Sequence, residues 1–314
     1  MILRKIFSSL LYLVLISMVS FLLSAAIPGD AAEMITNIGR ADPAPMEMVE
    51  KVRAAYALDQ PVLVQYVKWM QRLILDNNLG TSFRTANPVS REIRYCFPAT
   101  LELAGWTFLV TMLVAVPLGI YAALTHSRVI GFLIQMIIVI GYALPVFLVG
   151  NVLLWIFAVK LPWLPAIGRG DWHNAVLPVL TLSVHMIGWS SQIVRSSVKE
   201  QMNKTYVLVA KAKGLSNWQI IRSYILRPAL IPILTSFLMM FGRLISGSFI
   251  VEYIFAWNGI GRLLIDSVMA RDIPMIQGII LYIAVIFILI NFLIDLLYIR
   301  LDPQISEQLL GSAA

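Results

Sequence analysis

Residues 276–298 read Ile276-Gln-Gly-Ile-Ile-Leu-Tyr-Ile-Ala-Val-Ile-Phe-Ile-Leu-Ile-Asn-Phe-Leu-Ile-Asp-Leu-Leu-Tyr298, with Asp295 the one charged side chain among them. A helix needs about 20 predominantly apolar residues to cross the hydrocarbon core of a bilayer, and this stretch supplies them. Five more segments of the same character precede it: Ser8 to Ile27, Ala99 to Leu124, Val129 to Val159, Ala175 to Val194 and Ala229 to Ile250. The expected fold class is therefore all-α, a polytopic membrane protein with about six transmembrane helices. Composition agrees. The 314 residues are 59% hydrophobic and 13% charged, whereas soluble domains carry about a quarter charged residues. The net charge of +7 lies between the spans, where it acts as a topology signal and not as a nucleic-acid surface.

The first segment also resembles a signal peptide, because Arg4 and Lys5 precede it and Ser24-Ala25-Ala26 ends it. Its apolar run is longer than a signal core, so it is read as an uncleaved first helix (1–27). Orientation follows from Lys and Arg in the short loops. The connection from Arg195 to Arg227 holds Arg195, Lys199, Lys204, Lys211, Lys213, Arg222 and Arg227 against Glu200, while the connection after the third span holds Lys160 and Arg169. This bias predicts both termini in the cytoplasm. The segment 28–98 then lies outside. Its acids and bases balance at eight each, and Glu47 to Leu58 and Val62 to Leu75 pattern as short amphipathic helices. Pro61, Gly80 and Pro88 punctuate it.

The inner connection is long, basic and helical in pattern. Tyr206, Val209, Ala210, Ala212 and Lys213 fit one helix, Gly214 interrupts it, and Ile220, Ile221, Tyr224 and Ile225 resume helical spacing. Pro228 and Pro232 mark the start of the fifth span, where a first-turn proline is tolerated. The residues alone leave two readings open. One is an interfacial helix on anionic lipid, and the other is a docking site for a partner protein.

Motifs along the chain decide between them by resemblance. Tyr206-Val-Leu-Val-Ala-Lys-Ala-Lys-Gly214-Leu215, then Leu226-Arg227-Pro228-Ala229-Leu230-Ile231-Pro232, is similar to the ATPase-coupling loop of ABC-importer permeases of the dipeptide, oligopeptide and nickel family. Ile27-Pro28-Gly29-Asp30, Leu58-Asp59-Gln60-Pro61 with Gln65-Tyr66, Leu79-Gly80-Thr81-Ser82-Phe83 and Pro98-Ala99-Thr100-Leu101-Glu102-Leu103 resemble that family in order and spacing. So do Val251-Glu252, Ile254-Phe255, Gly259-Ile260-Gly261-Arg262, Arg271-Asp272 and Leu301-Asp302-Pro303. Two positions depart from the pattern: Leu208 stands where the loop's eponymous Glu would be, and Asn258 where Pro is usual before Gly259.

The resemblance implies a type I ABC-importer permease fold in a bacterial inner membrane. Its core is 99–314, with a cytoplasmic coupling loop at 195–228. The chain would form half of a translocation pathway beside a second homologous permease subunit. Two cytoplasmic ABC ATPase subunits would bind ATP and Mg, and an extracytoplasmic binding protein would deliver substrate. Tyr206, Ala210, Lys211, Gly214 and Leu215 are the expected core of the ATPase contact. Peptides are the leading substrate. Nickel or a metal chelate is the alternative, because Phe255-Ala256-Trp257 and Trp163-Leu164-Pro165-Ala166 resemble metal-transporting members.

No stretch fits G-x-x-x-x-G-K-[ST], and Gly247-Ser248 lacks the lysine, so no nucleotide-phosphate loop is expected in this chain. A single cysteine, Cys96, and three scattered histidines, His126, His173 and His185, give no ligand spacing for a metal. No catalytic set suggests a membrane enzyme, and no inverted repeat suggests a secondary transporter. Polar residues inside spans are functional candidates by default. Those candidates are Arg243, Asn151, Glu102 and His185 as pathway-lining groups, with Arg243 and Glu102 a conceivable pair. Asp295, near Asn291, reads as a helix-end or partner contact. Gly242-x-x-x-Ser246 with Gly247 gives the fifth span a small-residue face, and Pro117 and Pro145 are expected kinks.

Overall fold

The structure is a computed structural model that describes residues 2–25, 31–37 and 42–301. Its helices are α1 Ile2–Ala25, α2 Ala31–Thr36, α3 Met46–Tyr56, α4 Val62–Leu75, α5 Val89–Leu124, α6 Arg128–Ala143, α7 Val146–Leu154, α8 Trp172–Met202, α9 Thr205–Ala212, α10 Asn217–Gln219, α11 Arg227–Gly247, α12 Phe249–Ile254, α13 Ile260–Met269 and α14 Ile273–Leu301. Wider π-helical turns extend α7 over Trp155–Lys160 and join α10 to α11 over Ile220–Leu226. The fold is all-α, and among the described residues the one β contact is an isolated bridge between Thr81 and Pro88.

Four of the six expected segments fall on long apolar helices, the third on a bent pair, and the first on α1 as far as Ala25, its last two residues lying outside the described residues. Among the described residues, Val89–Leu124, Trp172–Met202, Asn217–Gly247 and Ile273–Ile294 are each long and apolar enough to cross a membrane. In α1 the apolar stretch is Phe7–Leu23. The third segment is broken: α6 and the helix from Val146 to Lys160 meet at 95°. The cause is Pro145. Its predecessor Leu144 takes the extended backbone that a following proline imposes, and Pro145 starts the new helix. Pro117 lies within a continuous α5 instead. The fifth segment starts earlier than its prolines suggest, because the helix runs unbroken from Asn217 through Pro228 and Pro232.

The chain divides into two compact units, Met1–Pro98 with Gly259–Ile288, and Ala99–Asn258 with the remainder. In the first, Val89, Ile93 and Cys96 of α5 pack with Ile260 and Leu263 of α13 and with Met275 and Ile279 of α14. Gly278 permits this, since a Cβ there would collide with Val89. Asp272 organises the loop beside that cluster. Its carboxylate accepts from the Ser82 hydroxyl and, at 3.0 Å, from the Phe83 N–H, and it caps α14 by accepting from the Met275 N–H at 3.3 Å. The Leu79–Phe83 and Arg271-Asp272 motifs are thus two halves of one clamp. Elsewhere in this unit α4 lies on α1 through Phe21, Tyr66 and Trp69.

The second unit is arranged around α8, on which α6, α7, α11 and α12 all pack. Bilayer helices gain little from hydrophobicity and must approach closely to gain dispersion energy. Gly141 and Gly188 supply that approach between α6 and α8. A Cβ on Gly188 would sit 2.6 Å from the Tyr142 nitrogen and 2.7 Å from the Ile138 oxygen, both backbone atoms. On α5, a Cβ on Gly119 would meet Val194 and the Ser191 carbonyl of α8 in the same way.

Two predictions follow from these contacts. Gly188→Ala is expected to lower the apparent melting temperature of the detergent-solubilised protein. Gly105→Ala, where nothing lies within 4 Å, is expected to leave it unchanged or raise it, since Ala in a helix gains up to about 1 kcal/mol over Gly. Size-exclusion thermostability measurements on the pair compare them directly. By the same assay Asp272→Ala should cost about 2–4 kcal/mol, from a lost cap and stranded buried donors, with Asp272→Asn intermediate.

Candidate functional site

The 195–228 connection folds as a helical hairpin. α8 ends at Met202, and Lys204 pairs with Glu200 at 3.0 Å. The Tyr206 hydroxyl donates to the Gln201 side chain, tying α9 back to α8. α9 ends in a Schellman turn. The Gly214 N–H donates to the Lys211 carbonyl and the Leu215 N–H to the Ala210 carbonyl, at 3.0 and 3.3 Å. Gly214 has φ +76°, a left-handed conformation that suits glycine, so the interruption read from sequence is a helix C-terminus. Ser216 then opens the next helix with a capping box to Gln219.

Side chains sort into two faces. Val207, Ala210, Ile220 and Ile225 are buried between α9 and the π-helical turn. Ala210, at 2% exposure, therefore packs the hairpin internally and does not present itself outward. Ala210 was expected in the core of the ATPase contact, but the helix after the turn packs over that face. Tyr206, Lys211 and Gly214 are exposed and Leu215 half-buried. Beside them stand residues that sequence reasoning did not place in the contact: Leu208 at 62%, Val209, and Trp218 at 67%. Their signal was available as apolar side chains at the positions of α9 and α10 that the inward stripe skips.

The polar span residues do not converge. Among the described residues, no hydrogen bond, ion pair or ring contact joins Arg243, Asn151, Glu102 and His185 to one another. The conceivable pair of Arg243 with Glu102 is not formed. Glu102 instead accepts from Arg169, with Nε at 3.0 Å and Nη2 at 2.5 Å. The 161–171 loop makes this choice. The Gly168 N–H is held by the Phe255 carbonyl at 2.8 Å, and Arg169 rests over Trp257. Arg243 lies four residues before the end of α11, exposed, with its guanidinium 4.9 Å from the Trp189 ring. Asn151 is exposed on α7, and His185 is half-buried and stacked on Tyr142. The side chain of Asp295 lies outside the described residues.

One buried acid was visible in sequence only as part of a motif. Glu252 is fully buried and accepts from Thr100 at 2.9 Å and Ser248 at 2.7 Å. Nearby, the Trp257 indole donates to the Ala99 carbonyl at 2.8 Å. These bonds fix α12 to the part of α5 in the same unit. At the start of α8, Asp171 caps the helix and bonds His173. The His173 side chain, first among the causes, holds the Asp171 carboxyl below its usual range. A depressed carboxyl favours the folded state above its unfolded value and loses that contribution as pH falls through the folded one. Among the described residues no three His, Cys, Asp or Glu side chains gather as a metal site.

Comparison with known proteins agrees with this architecture. The family model described as "Binding-protein-dependent transport system inner membrane component" matches residues 115–307, and the model of the N-terminal part of such membrane components matches residues 1–104. The chain is 33% identical to a probable D,D-dipeptide transport system permease of Escherichia coli K12, covering 93% of each. It is 35% identical to a glutathione transport system permease of Salmonella paratyphi A, covering 97% of this chain and 98% of the relative. Among solved structures, an inward-facing methionine ABC transporter, MetNI, is similar over 67% of this chain and 96% of its own, at TM-score 0.56 and 16% identity. An amino acid ABC transporter is similar over 67% and 94%, at TM-score 0.54 and 17% identity. The fold, the span pattern and both family matches place the chain among the binding-protein-dependent transport system inner membrane components, the multi-pass permeases of bacterial ABC importers.

Proposed function

We propose that this permease forms half of a peptide translocation pathway and is driven through the 195–228 hairpin by separate ATPase subunits. The observation that carries the reading is the hairpin's exposed face. Tyr206, Leu208, Val209, Lys211 and Trp218 lie on it with Leu215 half-buried beside them, around a turn held on one side by backbone hydrogen bonds and on the other by the Ser216–Gln219 capping box. An apolar face with a basic rim, on a loop basic enough to stay in the cytoplasm, fits a protein groove. With both termini inside, the 28–98 segment lies outside, where a binding protein delivers substrate.

The mechanical consequence follows from the helix joined to the hairpin. Closure of two ABC ATPases around ATP and Mg moves the docked hairpin. The unbroken helix from Asn217 to Gly247 carries that movement into the bilayer, and α8 carries it on the other side. This chain and a second homologous permease then alternate between inward-open and outward-open arrangements. The chain has no phosphate-cradling loop, so hydrolysis belongs to the partners. Arg243 and Asn151, both exposed on membrane helices, are the groups assigned to the pathway. Glu102 is paired with Arg169 and His185 is half-buried against Tyr142, and both shape its wall.

The peptide reading is favoured over nickel because the relatives named above are called dipeptide and glutathione permeases, and glutathione is itself a tripeptide. Leu208→Asp and Trp218→Ala alter exposed positions and should leave the permease folded. Each is expected to reduce ATPase co-purification and uptake by about tenfold or more, equivalent to ~1.4 kcal/mol of coupling. Gly214→Asn keeps a residue that tolerates φ above zero and should retain more uptake than Gly214→Trp. Normal co-purification and uptake in Leu208→Asp and Trp218→Ala would sink the coupling assignment. Nickel uptake by the complete importer that di- and tripeptides fail to inhibit would overturn the substrate.

A further inference from the structure

The helix α4 has three faces, and only two have an explanation. Tyr66 and Trp69 lie against α1, where the Tyr66 hydroxyl is 2.8 Å from Ser17 Oγ and the rings of Tyr66 and Trp69 both contact Phe21. Gln65, Lys68, Gln71 and Arg72 form a polar face, as water or headgroups require. Between them runs an apolar stripe at i, i+4, i+7 and i+11: Leu63, Val67, Met70 and Ile74. Leu63 is 63% exposed, Val67 53% and Ile74 69%. A stripe of this width normally faces a core, yet no residue of α4 is buried.

Its position on α1 identifies what covers it. The apolar run of α1 is Phe7–Leu23, and Ser17 lies six residues inside its end. At 1.5 Å per residue that is about 9 Å below the boundary of the apolar run. Interfacial amphipathic helices sit about 5–10 Å into the headgroup and acyl boundary. A helix bonded to Ser17 is therefore at acyl-chain depth if α1 crosses the bilayer, and the stripe continues the exposed apolar surface of α1 at Val14, Met18 and Leu22. We infer that α4 is embedded in the outer leaflet, with Leu63, Val67 and Ile74 in the acyl chains and Lys68 and Arg72 at the headgroups. The segment between the first two spans is thus partly a lipid-bound element that holds α1 laterally, in addition to facing the external space. This inference rests on the membrane placement of α1 with its N-terminus inside, and on neither the substrate nor the ATPase assignment.

The test uses the full chain with Cys96, its one native thiol, changed to Ala. Single cysteines are placed at Leu63, Val67, Ile74, Lys68 and Gln71. The purified variants are labelled with bimane, assembled with their partner subunits and put into nanodiscs with or without brominated acyl chains. Val67→Cys and Ile74→Cys should be quenched about twofold or more by brominated lipid and little by aqueous iodide, and Lys68→Cys and Gln71→Cys the reverse. Iodide quenching at all five positions would place α4 in water and overturn the inference. Protection from both quenchers at positions 63, 67 and 74 would show a protein partner on the stripe and overturn it equally. Normal ATPase activity of the assembled variants separates these outcomes from misfolding, and the same labels on the chain reconstituted alone show whether a partner subunit is what protects the stripe.

Discussion

Close approach to α8 is the constraint on which the second unit depends. Lipid tails are as apolar as leucine, so helices in a bilayer are held by dispersion and by hydrogen bonds, both short-ranged. At Gly188 the α6 backbone comes within the distance that a single methyl would fill, and buried Ser183, Ser190, Ser191 and Ser197 keep the rest of α8 narrow. The same helix runs directly into the hairpin at its C-terminal end. Under the proposed function, packing and coupling therefore share one element. A tilt of α8 would move α6, α7, α11 and α12 with it, which is what a lever joined to a bundle requires.

Charges that remain inside are treated in two ways. Asp272 and Glu252 are buried, and each is surrounded by donors from hydroxyls or backbone amides. Burying a carboxylate without such donors would cost several kcal/mol, so both acids act as fasteners between distant parts of the chain. Ser82 reaches Asp272 across 190 residues, and Thr100 reaches Glu252 across 152. Arg243 is treated differently. It is exposed, and its contact within the chain is the face of Trp189, which lowers the cost of a cation without neutralising it. An uncompensated cation on a membrane helix is tolerable where water or an anionic group reaches it, which is why Arg243 and not Glu102 is assigned to the pathway.

The spans were legible because length and apolarity alone define them, and the bend at Pro145 because proline removes a donor and restrains its neighbour. The start of the fifth helix was read too late for the same kind of reason. Pro228 and Pro232 normally mark a helix start, but the wider turn at Ile220–Leu226 lets the helix pass through them. Ala210 illustrates a second limit. The resemblance placed it in the ATPase contact, yet which face of α9 turns outward depends on where Ile220 and Ile225 fold back, and periodicity within α9 does not contain that. The pairing of Glu102 with Arg169 was missed because it depends on a loop held by a backbone bond between Gly168 and Phe255, which leaves no pattern in side-chain chemistry.

The hairpin also shows why its turn is built from directional hydrogen bonds and not from side-chain packing alone. Burial of Val207, Ile220 and Ile225 contributes roughly 1.5–3 kcal/mol each at most, and apolar contacts permit sliding. The Schellman bonds at Gly214 and the capping box at Ser216 are directional, and they close both sides of a four-residue turn. Together they fix the angle between α9 and the helix that begins at Asn217. A force applied to Leu208 or Trp218 is then passed into the Asn217–Gly247 span and is not absorbed in the loop. Gly214 matters through its backbone conformation, because a Cβ there would meet nothing within 4 Å. In the proposed coupling its role is to hold the lever's angle, and the exposed apolar residues around it supply the grip.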